Sequence, residues 1–422
     1  MELRPGYKHT EVGIIPDDWS LKTLGELGTI VRGGSPRPAG DPRYFNGDFV
    51  PWLTVAALTS IPDYQLTVNS TATCLTALGS ERSRTLAANT VIIANSGATL
   101  GVAKLLGLTC CANDGIAAIV GQRSGVKQFV CYYVNAQTER LRKVVATGNG
   151  QPNLNTTLIR RIPLPFPPSA EQQEIADVLS DVDALLAALD RVIAKKRDIK
   201  HAAMQQLLTG RTRLPGFGEA WQEKPLGRIG RFLKGSGIKK DEARGGSLPC
   251  VRYGELYTQH DNYIKQFTSW ITPRVAESAT QLKQGDLLFA GSGETKEEIG
   301  RCAAFLDPFE AYAGGDIVIL RPADVDSKFM GYYCNTPSVN VQKASKGQGD
   351  AVVHISASAL ASIVVKLPSR DEQSAIAAVL SDMDAELAAL KARRDKTRAL
   401  KQAMMQELLT GRTRLVPAAT GA

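Results

Sequence analysis

The eight residues Leu-Leu-Thr-Gly-Arg-Thr-Arg-Leu stand at 207–214 and again at 408–415, each time closing a long helix-prone segment. Between 169–214 and 370–415, which align without a gap, 28 of 46 positions are identical, more than shared helical composition would produce. The chain is a tandem duplication, and a repeat of this size constrains the fold before any local propensity does. The copies continue outside the helices: Trp19, Lys22, Leu24, Gly25 and Gly28 recur as Trp221, Lys224, Leu226, Gly227 and Gly230, and Phe129, Tyr132, Tyr133 and Asn135 as Phe329, Tyr332, Tyr333 and Asn335. Between these anchors the two arms differ, so one scaffold carries two unlike surfaces.

Each arm reads as mixed strand and turn. Short β-prone runs such as 90–94 and 116–120 alternate with Gly, Pro, Asn and Asp, which permit tight turns. Pro163, Pro165, Pro167 and Pro168 then precede a helix for which Ser169 is the expected N-cap and Gln172 completes a capping box, with Ser369 and Glu372 playing these parts in the second copy. Ile175, Leu179, Val182, Leu186, Leu189 and Ile193 alternate by four and three residues, the spacing of a coiled-coil seam. The second copy repeats it at Ile376, Leu380, Met383, Leu387 and Leu390, then breaks at Arg394 and Thr397 before Leu400, Met404 and Leu408 resume it. Gly210 and Gly411 are the expected C-caps. An unbroken helix over 169–208 would be about 60 Å long at 1.5 Å per residue. Its seam demands a partner: the other helix, antiparallel, in the simplest arrangement, or a second chain in the alternative. The segments before Trp19 and Trp221 both lead into an arm, giving the halves an approximate two-fold relationship.

This pattern predicts an α+β chain: two mixed α/β arms separated by two long antiparallel helices that form an intramolecular coiled coil. The expected divisions are a first arm over 1–168, a helix over 169–214, a second arm over 215–368, a helix over 369–415 and a disordered tail over 416–422.

The functional classes narrow by exclusion. No apolar stretch reaches the roughly 18 residues that would span a bilayer, and 1–12 has no apolar signal core, so the cytoplasm is the expected compartment. Seven cysteines without a C-x-x-C spacing read as buried thiols, and four scattered histidines offer no zinc site. No Gly-rich stretch matches a phosphate loop, and Ser96 lacks the surroundings of a nucleophile elbow, so no catalytic site and no cofactor or metal site is expected on this chain. Of the net charge of +8, most sits in the first arm, where 1–168 carry 16 basic and 11 acidic side chains. Such a surplus is compatible with a polyanion partner without demanding one.

The chain resembles the specificity subunit of type I restriction-modification enzymes. The resemblance rests on Gly13-Ile14-Ile15-Pro16-Asp17-Asp18-Trp19 leading into Leu24-Gly25-Glu26-Leu27-Gly28, on the proline-rich approach to Glu171-Gln172-Gln173-Glu174-Ile175-Ala176, and on the twin helix ends. It implies that each arm is a target recognition domain reading half of a split DNA sequence, with the helices as a ruler and the unlike arms giving an asymmetric site. It further implies two methyltransferase subunits as partners, a restriction subunit beyond them, and S-adenosylmethionine, ATP and Mg bound on those partners and not here. In such a role phosphate contacts fall to Arg and Lys, and base-edge contacts to Arg, Lys, Asn or Gln. The expected DNA-binding residues are Arg32, Arg37, Arg43, Arg82, Arg84, Asn149 and Gln151 in the first arm. In the second they are Lys239, Lys240, Arg244, Arg252, Lys343, Lys346 and Gln348. Against each stands the plainer reading that a basic residue in a turn is simply solvated. Tyr132-Tyr133 and Tyr332-Tyr333 read as core, and a two-headed interaction scaffold without DNA is the competing function.

Overall fold

A computed structural model describes residues 5–146, 152–349 and 352–415. The chain forms two compact units, Met1–Ile193 with Leu390–Ala422, and Ala194–Ala389. Each unit is therefore one arm together with part of both long helices, a grouping that chain order alone does not convey. The expected tail at 416–422 lies outside the described residues.

Both long helices have 39 residues, Ser169–Leu207 and Arg370–Leu408. In the first unit Glu171 pairs with Arg414, Asp183 with Lys401 and Asp190 with Arg394, so one helix ascends as the other descends. In the second unit Arg213 pairs with Glu372, Lys200 with Asp384 and Lys196 with Glu386, again antiparallel. The helices thus pair within the chain as an intramolecular coiled coil. Ile175, Leu179, Leu186, Leu189 and Ile193 are buried along the expected seam, as are Ile376, Leu380 and Leu387.

Two local expectations fail for a shared reason. The break at Arg394 and Thr397 is no break in packing: Thr397 and Lys401 are buried, whereas Leu400 is 56% exposed. Polar side chains continue the packed stripe because Asp190 and Asp183 answer them across the pair. The capping boxes do not close either: Ser369 caps its helix as expected, accepting from Glu372 N at 3.4 Å, but the return bonds are absent among the described residues. Ser169 lies inside its helix, and Gln172 donates to Pro167 O at 2.8 Å while accepting from Val126 N at 2.8 Å, which ties the helix to the arm. Gln373 does the same with Pro368 O and Asp326 N, and the Glu372 carboxylate is taken by Arg213. Tertiary partners outbid the local cap. Gly210 and Gly411 do end the helices with positive φ, 67° and 70°.

Each arm is built on two larger sheets, with two-stranded ones beside them. In the first, a five-stranded sheet (Thr29–Arg32, Ile116–Val120, Val91–Ala94, Ala103–Leu106 and Thr67–Val68 in spatial order) is buried on both faces. Val91, Ile93 and Ile119 join the core containing Ile175, Leu179 and Leu408 of the long helices. Ile92, Ala94 and Ala118 pack instead with Leu53 and Ala112 of the second sheet. The second arm repeats this: Leu287, Phe289, Val318 and Leu320 face the core with Leu207, Ile376 and Leu380, while Leu288, Ala290 and Ile319 face Val251 and Ala313. Strict alternation along a strand sorts side chains between the two layers.

The repeated tyrosines do more than fill the core. Tyr132 Oη donates to Asp183 Oδ2 at 2.7 Å, and Tyr332 Oη donates to Asp384; each carboxylate is also ion-paired to the lysine of the opposing helix, Lys401 or Lys200. Burial raises both phenols well above their ordinary range, so they remain donors. Asn135 and Asn335 accept from Ala103 N and Cys302 N and thereby lock the neighbouring helix to a strand of its sheet.

Candidate nucleic-acid interface

In the first arm the strand Thr29–Arg32 ends at Gly33, whose N–H donates to Ile116 O. A Cβ there would lie 2.1 Å from Asn113 O, so only glycine permits this exit. The turn delivers the next residues onto Asp114. Ser35 Oγ donates to its Oδ1 at 2.6 Å, Arg37 Nη2 lies 3.6 Å and Arg32 Nη2 3.9 Å from Oδ2, and Arg84 Nε donates to Arg32 O at 2.7 Å. Ser83 Oγ closes the group by donating to Gly34 O. Arg32, Arg37 and Arg84, distant in sequence, thus form one exposed cluster with a single carboxylate and a net positive charge. Arg82 ends the short helix Ala77–Glu81 beside it, and Arg43 stands at the other end of that helix, where Thr76 Oγ1 donates to Arg43 O. The Arg43 guanidinium is already held two-pronged by Asp41, at 3.1 and 2.6 Å. Asn149 and Gln151 lie outside the described residues.

The second arm uses the same exit. Gly235 N donates to Ile317 O, and a Cβ on Gly235 would lie 2.0 Å from Gly314 O. Counting from the two glycines, Lys234 and Lys239 take the places of Arg32 and Arg37. Asn113 N donates to Leu53 O as Gly314 N donates to Val251 O, so the counterpart of Asp114 is Gly315, and the carboxylate has no equivalent here. Lys239 and Lys240 are exposed. Lys234 escaped sequence reasoning, although its place one residue before a glycine, like that of Arg32, was a usable signal.

Arg244 and Arg252 line one cleft of about 390 Å³ with Glu255, Gln259 and Trp270. Lys346 and Gln348 sit elsewhere, Lys346 at the end of the helix Pro337–Lys346 and Gln348 in a bridge to His354. Lys343 requires a correction. It is 1% exposed, and its ammonium donates to Gly300 O at 2.7 Å and Cys334 O at 2.9 Å, so it is a core residue unable to meet a phosphate. Burial lowers its pKa to about 8. Helical periodicity turned this lysine inward, where two backbone carbonyls accept its protons.

Two unlike basic surfaces on one repeated scaffold define the molecule. Residues 16–196 and 218–397 each match the type I restriction modification DNA specificity domain. The chain belongs to this family. Among its relatives is the type I restriction enzyme MjaVIII specificity subunit of Methanocaldococcus jannaschii, 19% identical over 424 residues, covering 95% of this chain and 94% of the relative. The MjaIX specificity subunit of the same organism is 21% identical over 348 residues, 78% of each chain. The fold is shared with the crystal structure of a type I restriction-modification S subunit from M. genitalium, with a TM-score of 0.58, 15% identity and coverage of 97% of this chain and 98% of that one. As a type I specificity subunit with two recognition domains, the chain has a fold in which the arms vary and the helices are repeated. Among the described residues no helix is long and apolar enough to cross a membrane.

Proposed function

We propose that this chain is the non-catalytic, DNA-reading subunit of a type I restriction-modification complex, in which the first recognition domain reads one half of a split target and the second reads the other. The observation that carries this reading is the contrast within each repeat. Contacts that fasten an arm to the long helices are nearly the same twice over, whereas the exposed loops differ in charge and in side chains. Unlike heads on equivalent mounts imply an asymmetric target, since identical heads would select a palindrome. The helix pair, which runs through both units, is the element that sets the separation of half-sites, about one turn of DNA or 34–36 Å in bipartite readers.

In this reading the chain docks two methyltransferase subunits and, through them, the restriction subunit. S-adenosylmethionine, ATP and Mg belong to those partners. The relatives are named specificity subunits, which supports assigning the chemistry elsewhere.

Footprinting of the assembled complex tests the proposal: two protected patches flanking an unselected gap are expected, and one continuous selected patch would refute it. DNA affinity should fall steeply with added salt, as phosphate contacts require; binding indifferent to salt would favour a protein-binding scaffold instead. Four residues inserted in register into both helices add about 6 Å, so the preferred gap should grow by one or two base pairs.

A further inference from the structure

The two recognition domains hold a cleft at the same place in the fold. In the first domain, the strand Val50–Leu53 lies between Thr73–Leu75 and Cys110–Ala112, antiparallel to one and parallel to the other. In the second, Leu248–Val251 lies in the same way between Ser269–Ile271 and Tyr312–Ala313. The registers agree residue for residue: Pro51 faces Cys74 and Trp52 faces Thr73, as Pro249 faces Trp270 and Cys250 faces Ser269. Counting onward, Thr54 corresponds to Arg252 and Ala57 to Glu255. A cleft opens over this corner in both domains, about 460 Å³ in the first and about 390 Å³ in the second.

Equivalent in backbone, the clefts are opposite in chemistry. No lysine or arginine lines the first; its wall is Phe45 against Trp52, ring centres 6.1 Å apart and edge to face, with Asn46, Thr54 and Thr73 as the polar groups. The second presents Arg244, which has no hydrogen-bonding or ionic partner among the described residues, and Arg252, whose Nε is buried and unpartnered. Arg244 bridges to Trp270 at the sheet edge that Phe45–Gly47 occupies in the first domain, and Trp270 is 42% exposed. Glu255, 5% exposed, accepts from Arg252 N at 3.0 Å, from Arg252 Nη2 at 3.4 Å and from Ser269 Oγ, which fixes both the root and one prong of Arg252 at the cleft wall and leaves the fork of Arg244 as the open one. The Arg244 guanidinium, exposed beside an exposed indole, has its donors free for the acceptors on the edge of a base.

We infer that these paired clefts are the base-reading sites of the two domains: the Arg244–Arg252–Trp270 cleft selects guanine, and the Phe45–Asn46–Trp52 cleft selects an A·T pair. Arginine forks match the O6 and N7 acceptors of guanine, whereas an amide matches adenine and apolar walls match the thymine methyl group. This inference rests on the DNA-reading role proposed above.

The test is selection of bound duplexes from a randomised pool by the full chain assembled with its methyltransferase subunits. Arg244→Ala and Arg252→Ala should each flatten a guanine preference at one or two positions of one half-site, by roughly 10- to 100-fold, and leave the other half-site unchanged. Arg252→Lys keeps the charge but loses the fork, so it should lose the preference while retaining affinity for unselected DNA. Asn46→Ala should flatten an A·T position in the opposite half-site only. Trp270→Ala, an exposed change that spares the core, guards against misfolding as the cause and should relax the same half-site as the arginines. An unchanged selection, or a uniform loss of affinity over all sequences, would overturn the assignment of the clefts while salt-sensitive, sequence-selective binding by the unaltered complex kept the broader reading intact. An unaltered complex that selects no sequence would overturn both.

Discussion

The two units fasten their arms to the long helices in nearly the same way, yet differ where the arm meets the helix ends. In the first unit Glu171, fully buried, accepts from the Trp19 indole at 2.9 Å and takes the Arg414 fork at 2.6 and 2.8 Å; Arg414 also reaches Asp18. In the second, Glu372 takes the Arg213 fork, but the indole N–H of Trp221 has no hydrogen-bond partner among the described residues. The stacking of each arginine over its tryptophan is nonetheless alike, 5.8 Å in both. Residues facing the duplicated helices meet the same partners twice and so stay paired with them. Those at strand ends and loop tips meet no repeated partner and are free to diverge, as the two clefts do.

This contrast can be broken first at the glutamates. Glu171→Ala leaves the Trp19 indole without its acceptor and Arg414 with Asp18 alone, and should destabilise the first unit by about 3 kcal/mol or more. Glu372→Ala should cost the second unit less, because Trp221 does not depend on it; equal losses in denaturation or unit-resolved hydrogen exchange would refute the asymmetry. The tyrosines test the opposite claim. Tyr132→Phe and Tyr332→Phe each remove a hydrogen bond to a buried carboxylate and should cost about 1–3 kcal/mol, by the same amount in either unit.

The third test uses two lysines that are not equivalents of each other. Lys104, buried in the first unit and bonded to Pro62 O and Gln65 O, has Ala303 as its counterpart; Lys343 is buried in the second. Burial lowers each pKa from the ordinary 10.5 to about 8. Between pH 8 and 10.5 the unfolded chain therefore holds more protons than the folded one, and stability rises with pH through this window. Each lysine should contribute about 3 kcal/mol of that rise. Lys104→Met should abolish it in the first unit only, and Lys343→Met in the second only, as read from denaturation at stepped pH. The smallest effect belongs to Lys196, paired with Glu386 at 2.7 Å on an exposed helix face: Lys196→Ala should change stability by less than about 1 kcal/mol.

Much of this architecture was legible in the residues, because the helices repeat nearly verbatim and an apolar stripe such as 175–193 has one economical partner, the other helix. The first-arm cluster was legible as a set of arginines, but its unity was not. Only the strand pairing that brings 29–32 beside 116–120, with Asp114 at the turn, places Arg32, Arg37 and Arg84 together. The reading failed at Lys343, at Leu400 and at the return bonds of the capping boxes, each time because a partner distant in sequence claimed the side chain or left it outside.

The residues by themselves determined the duplication, the two amphipathic helices, their tyrosine-bearing anchors and the absence of recognisable cofactor loops, since these are properties of order and spacing along one strand of covalent bonds. Tertiary structure alone decided which charges are buried, which stand free, and that two clefts of opposite chemistry open at one strand register, because burial and pairing depend on neighbours supplied by remote parts of the chain.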